Sequence, residues 1–172
     1  MADIKTKYPS TSSTALTLTA ASLASDTNLL AGRASTAVDN TSNVDLDHLL
    51  SGVVTTGTSP TVSTTIEIWV YGSYKTASGT PTYPDSITGT DANKSMTSAN
   101  VKNAALRLAA AITVDNTSNR AYSFAPVSIA GLFGGQMPKF WGVFIVHNTA
   151  VALNATGGNH DFQYERVQAQ TV

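Results

Sequence analysis

Three histidines, eleven carboxylates and a dense population of serines are the residues with which this chain could do acid–base, metal or nucleophilic chemistry. His48 stands inside the alternating stretch VDLDHLLSGVV, while His147 and His160 mark the ends of two further apolar-patterned stretches, FWGVFIVH and HDFQYERV. On adjacent strands the last two could approach each other, but a metal centre takes three or four protein ligands. Each histidine is therefore expected to be structural, with its ring nitrogens hydrogen-bonded inside the fold. Asn43, Asp45 and Asp47 alternate as the oxygen ligands of a calcium loop do. The glycine and the closing bidentate glutamate of such a loop are missing, so the expectation is a solvated strand face.

The serines carry no GxSxG elbow. GLFGG at 131–135 lacks the GxGxxG spacing, and no GxxxxGK[ST] loop occurs. A carboxylate pair for glycoside hydrolysis can come from distant strands, on which the sequence is silent. With no cysteine, thiol nucleophiles, disulfides, thiolate zinc and iron–sulfur ligation are excluded together. No catalytic, cofactor-binding or metal-binding residue is assigned, and the chain is expected not to be an enzyme.

What remains is contact chemistry. Tyr8, Tyr74 and Tyr83, with the adjoining Pro9 and Pro84, sit in polar Ser/Thr-rich segments where an aromatic ring finds little core to join. Such rings stack on sugars or anchor a partner protein. The sequons at Asn40, Asn93, Asn116 and Asn154 follow from a composition rich in Ser, Thr and Asn.

That composition has physical content. Hydrophobic residues make up 42% of the 172, but charged residues only 12%, about half the share usual for soluble domains. The formal net charge is −1. Weak self-repulsion favours association, and the centres of protein interfaces are depleted in charge, so assembly with copies of itself or with neighbours is expected. Ten basic residues spread through the chain give no footprint for nucleic acid. The most apolar run, FWGVFIV at 140–146, is too short to span a bilayer, and MADIKTKYPS has no apolar signal core.

The elements that must position these residues read as strands. Residues 1–13 form an extended arm, and 14–172 a single domain of a size that buries roughly two-thirds of its unfolded surface. Strands are predicted from Ala15 through Thr19, within LLAGRASTAV, in VDLDHLLSGVV and in TTIEIWVYGSY, the last two pairing as a hairpin through a turn at 57–60. In TTIEIWVYGSY, Ile66, Ile68 and Val70 oppose Glu67, Trp69 and Tyr71. Residues 75–103 read as one long polar loop, of the kind that is functional or ordered by a partner. ALRLAAAITV fits both alternation and helical spacing, with Thr97 or Ser98 available as a helix cap. We take it as a strand because a turn and another strand, AYSFAPVSIAG, follow. FWGVFIVH is apolar on both alternating sets, as in a strand covered on both faces, and AVALN and HDFQYERV complete the series. The sum is an all-β fold, an antiparallel β-sandwich with a jelly roll as one form open to it.

The hexapeptide VDNTSN occurs at Val38–Asn43 and again at Val114–Asn119. The residues that follow the two copies are unlike each other, while Asp, Asn and Ser bond readily to nearby backbone. We read one turn solution used twice, not a duplicated domain.

The stretch GLFGGQMPKFWGVFIVHNTAVALNATGGNH resembles small structural proteins of tailed bacteriophages and prophages, and the resemblance extends more loosely over most of the chain after about residue 30. It implies an all-β virion component that acts by contact, in many symmetric copies, assembled in the bacterial cytoplasm. Within that group a capsid decoration or cement protein bound to the major capsid protein is the favoured expectation, with the arm and the 75–103 loop as bridging segments. A tail, neck or fibre part that holds host glycans through loop tyrosines is the alternative.

Overall fold

The computed structural model describes residues 3–9, 13–43, 45–73, 76–77 and 79–171. Its strands are β1 (Ile4–Lys7), β2 (Thr14–Ala15), β3 (Ala31–Ala34), β4 (Val38–Asp39), β5 (Asp47–Thr55), β6 (Thr65–Ser73), β7 (Thr76–Ala77), β8 (Thr80–Pro81), β9 (Ala92–Ser95), β10 (Arg107–Thr113), β11 (Ala121–Ser128), β12 (Phe140–His147) and β13 (Asp161–Thr171). Among the described residues the helices α1 (Ala99–Ala105) and α2 (Ile129–Leu132) and a 3-10 turn at Gly157–Asn159 complete the elements.

The fold is an antiparallel β-sandwich. One sheet runs β1-β13-β5-β11, with β2 also on β13; the other runs β10-β6-β12-β3-β9, with β4 on β12. The pairings are nested: β2 with β13, β3 with β12, β5 with β11 and β6 with β10. Early strands thus pair with late ones, and each inner pair lies in sequence within the outer one.

Both faces of β12 are buried, as its two apolar sets predict, and the neighbouring β6 is covered on both faces as well. Ile66, Ile68 and Val70 of β6 and Trp141, Val143 and Ile145 of β12 point between the sheets, against Leu50, Val54 and Phe162. Trp69, Tyr71, Phe144 and Val146 point outward into a second core with Ala34, Ile87, Met96 and Leu106. Burying each such side chain contributes about 1.5–3 kcal/mol, so the outer face needs a cover of its own.

That cover corrects the reading of 75–103 as one long loop. The segment supplies β9 to the sheet, α1 beside it, and the buried Ile87 and Met96. Ser98 caps α1 by accepting from the Val101 N–H at 3.2 Å. The helix option therefore belongs one turn earlier than ALRLAAAITV, which forms β10 as read. Underneath, Lys102 Nζ lies 2.8 Å from Glu67 Oε2 and from the Leu29 carbonyl, and 4.8 Å from the Trp69 ring centre.

Three more expectations are revised. β5 and β6 do not form a hairpin; they lie in opposite sheets, because the 57–60 connection crosses the end of the sandwich. AVALN is no strand: Leu153 plugs the inter-sheet core, and its N–H bonds to Leu23 O, with no sheet ladder. The strand predicted from Ala15 is reduced to Thr14–Ala15, after which Leu16, Ala20 and Leu23 drop into the core. Of the N-terminal arm, Ile4–Lys7 pair with β13 as an exposed edge strand.

Candidate functional site

β13 is longer than its sheet. β5 accompanies it from Asp161 to Val167 and ends there, with Asp47 opposite Val167. Residues 168–171 continue with β1 alone, in the register Ile4↔Thr171, Lys5↔Gln170, Thr6↔Ala169 and Lys7↔Gln168. The result is a two-stranded ribbon beyond the sandwich. All four β1 residues are exposed, Ile4 to 77%. Cross-strand partners share a face, so Lys5 and Lys7 lie with Gln168 and Gln170, while Ile4 and Thr6 lie on the reverse.

A buried polar cluster fixes the root of this ribbon. Alternation along β13 puts Tyr164, Arg166 and Gln168 on one face, opposite His48 on β5 and near Trp141 on β12. Trp141 Nε1–H donates to His48 Nδ1 at 2.8 Å, and His48 Nε2 is 2.8 Å from Asp45 Oδ2. Indole only donates, so Nδ1 is the acceptor and the imidazole proton sits on Nε2, directed at Asp45. Arg166 reaches both Asp45 oxygens, at 2.8 and 3.1 Å, and Gln168 Nε2 donates to Oδ1 at 2.6 Å. Asn40 closes the cluster through the Asp45 backbone, donating to its carbonyl at 3.0 Å and accepting from its N–H at 2.8 Å.

The electrostatics follow from these partners. Burial alone would raise the Asp45 carboxyl, but the bonds from Arg166, His48 and Gln168 outweigh it and hold its pKa below the ordinary value. Burial pushes His48 down, and the neighbouring Asp45 only partly restores it. The cluster holds a neutral imidazole and an ionised carboxylate in place. Both ring nitrogens of His48 and both carboxylate oxygens of Asp45 are bonded, so the cluster locks structure.

The expectation of a solvated face at 43–47 is thus corrected. Asp45 is 4% exposed, Asn43 lies in an exposed turn, and Asp47 turns to α2, accepting from Ser128 Oγ at 2.6 Å and the Ala130 N–H at 2.8 Å. Strand β5 begins only at Asp47, so the three side chains never share a face. The other histidines are bonded too. His147 is buried, 3.0 Å from Leu23 O and 2.9 Å from Thr149 Oγ1; His160 Nε2 is 2.8 Å from Asn154 O. His147 ends β12, whereas His160 precedes β13 of the other sheet. Among the described residues no three His, Asp or Glu side chains gather as metal ligands.

Both copies of VDNTSN make the same local bond. Asp39 Oδ1 accepts from the Thr41 N–H at 2.7 Å, and Asp115 Oδ1 from the Thr117 N–H at 2.9 Å. Asp115, held also by the Tyr122 hydroxyl and Arg120, titrates at about 2.

The sequence-predicted contact residues scatter. Tyr8 is 56% exposed just beyond β1, and Pro9 beside it is half-buried. Tyr83 is no free platform: it stands edge-on to Tyr71, ring centres 5.7 Å apart, with Gly89 beneath it. Pro84 is half-buried in the turn where its carbonyl accepts from the Ile87 N–H. Tyr74 lies outside the described residues. The structure brings Tyr8 and Pro9 to the ribbon and leaves Tyr83 and Pro84 on the other sheet's cover. Sequence reading missed Arg166, Gln168, Lys5 and Lys7; the signal was the alternation of YERVQAQ running on past the apolar positions.

No family model, no curated protein and no solved structure matches this chain.

Proposed function

We propose that the chain is a non-enzymatic structural component of a tailed-phage virion, a capsid decoration protein that binds the shell and stabilises it through contacts bridging subunits. The observation that carries the reading is the ribbon of β1 and residues 168–171. A two-stranded ribbon standing in water is marginal by itself, and its unpaired edges are ready to accept another strand. It is suited to contact.

Two further observations support it. The nested strand pairing supports reading the sandwich as jelly-roll-like, an architecture common in particle-forming proteins. The surface is charge-poor, with charged residues only 12% of the chain. Fold alone assigns no function, and the ribbon is what narrows it. A glycan-holding role in a tail or fibre would draw on Tyr83, whose ring is packed against Tyr71.

Quantitative mass spectrometry of purified particles tests the reading. One copy per shell subunit, or a simple fraction of that, is expected. A few to some tens of copies would instead put the protein in the neck, tail or fibre.

A further inference from the structure

Resting on that reading, the ribbon also indicates what it binds. Among the described residues the main strand orders end in β1, β11, β10 and β9, with the two-residue β2 and β4 also at an edge, and the four longer ones differ in how open they are. β11 is broken by a register shift between Phe124 and Val127, where Pro126 removes a donor. β10 shifts between Leu108 and Ala110. β9 runs within three residues of the α1 cap at Ser98. β1 is regular over its four pairs and contains no proline. Native sheets blunt an edge with bulges, prolines, covering elements, short length or lysines; among the described residues β1 has no bulge, proline or cover, and only its shortness and its two lysines guard it.

What β1 does carry is charge of one sign. Lys5 and Lys7 share a face, their cross-strand partners are the neutral Gln170 and Gln168, and neither forms an ion pair among the described residues. The root of that face is closed to acids of its own, because Asp45 is consumed by Arg166, His48 and Gln168. Self-pairing always leaves Lys5 facing a lysine, although Asp3, of the same parity, meets Lys7 in one register. In a symmetric antiparallel pair of β1 strands, opposed residues have the same parity, so the two registers centred on the strand set Lys5 against Lys5 or Lys5 against Lys7. Like charges directly opposite destabilise a strand pair, whereas opposite charges stabilise it.

We infer that β1 is the edge on which an extended acidic segment of a neighbouring virion subunit adds as a further strand, with carboxylates at alternate positions facing Lys5 and Lys7. Main-chain bonds then supply affinity and the alternating charges supply register and selectivity.

The test uses the full chain with the synthetic peptide acetyl-Thr-Glu-Val-Glu-Val-Glu-Thr-amide, its lysine-for-glutamate counterpart as control, and hydrogen exchange as the readout. The acidic peptide is expected to slow exchange across 4–7, the basic one not. Lys5→Glu with Lys7→Glu is expected to weaken binding by about tenfold or more, the size of two exposed cross-strand charge pairs. Thr6→Pro is expected to abolish it while leaving the melting temperature of the sandwich in place. The inference is overturned if neither peptide protects β1, if both protect it equally, or if the double reversal binds the acidic peptide as before. A concentration-dependent dimer that Thr6→Pro dissolves would assign the edge to a second copy and overturn the acidic partner. None of these outcomes depends on particle location, which the copy number decides separately.

Discussion

At the scale of single residues, His48 shows how a neighbour can fix a tautomer. With Trp141 donating to Nδ1, a second proton on the ring would set two donors against each other. His147 is also pushed down by burial, only partly offset by the Leu23 carbonyl. For a base whose folded pKa is depressed, the unfolded chain binds the proton first, so stability is fully present above the unfolded value of about 6.5 and is lost as pH falls toward the folded one. Urea midpoints are therefore expected to be level from pH 8 to about 6.5 and to fall between about 6.5 and 5. A flat profile through that window would mean that neither ring is held neutral. A separate loss, below the ordinary carboxylate value near 4, belongs to Asp45, whose folded pKa is also lowered. Arg166→Met strips Asp45 of its main partner while the carboxylate stays buried. Removing one member of a buried pair costs about 3 kcal/mol, and chemical denaturation should show a loss near that size.

At the scale of elements, the outer cover on the second sheet can be weakened without dismantling the sandwich. Met96→Ala is expected to cost about 2–5 kcal/mol as a buried large-to-small change. Gly89→Ala is expected to destabilise as well, since φ is +73° there and a Cβ would stand 2.5 Å from the Tyr83 ring. In both variants Tyr71 and Tyr83 fluorescence should respond before β5 and β13 lose hydrogen-exchange protection. The strands β5, β6, β10, β11, β12 and β13 were legible from period-two alternation, because each turns an apolar set toward the inter-sheet core. The cover was hidden: its apolar anchors Tyr83, Ile87 and Met96 are too sparse to show a period, yet the doubly apolar FWGVFIVH already required something to lie over it. Partner choice was also out of reach, since alternation says that a strand has two faces but not which of the two sheets it joins. The ribbon was half visible. Tyr8 and Pro9 marked its neighbourhood, but the pairing of Ile4–Lys7 with residues near 170 is a contact between distant parts of the chain, on which local pattern is silent.

At the scale of the whole molecule, the ribbon and the sandwich are separable. Deleting residues 2–13 removes a strand whose every side chain is exposed. The melting temperature should move by no more than about 4 °C, the shift that about 1 kcal/mol produces in a domain of this size. Loading onto shells that lack the protein should nevertheless collapse. Full loading by the truncated chain would remove the ribbon from the shell contact. The nested pairing has a mechanical side as well. Because Ile4 lies opposite Thr171, a load applied at these two positions pulls the outermost pair apart crosswise and meets its hydrogen bonds one after another, like a zip opened from its end. A load taken instead along β1, by a strand lying on its free edge, is shared by all the bonds of that edge together. The same four residues are weak when tugged at their tips and strong when gripped along their length.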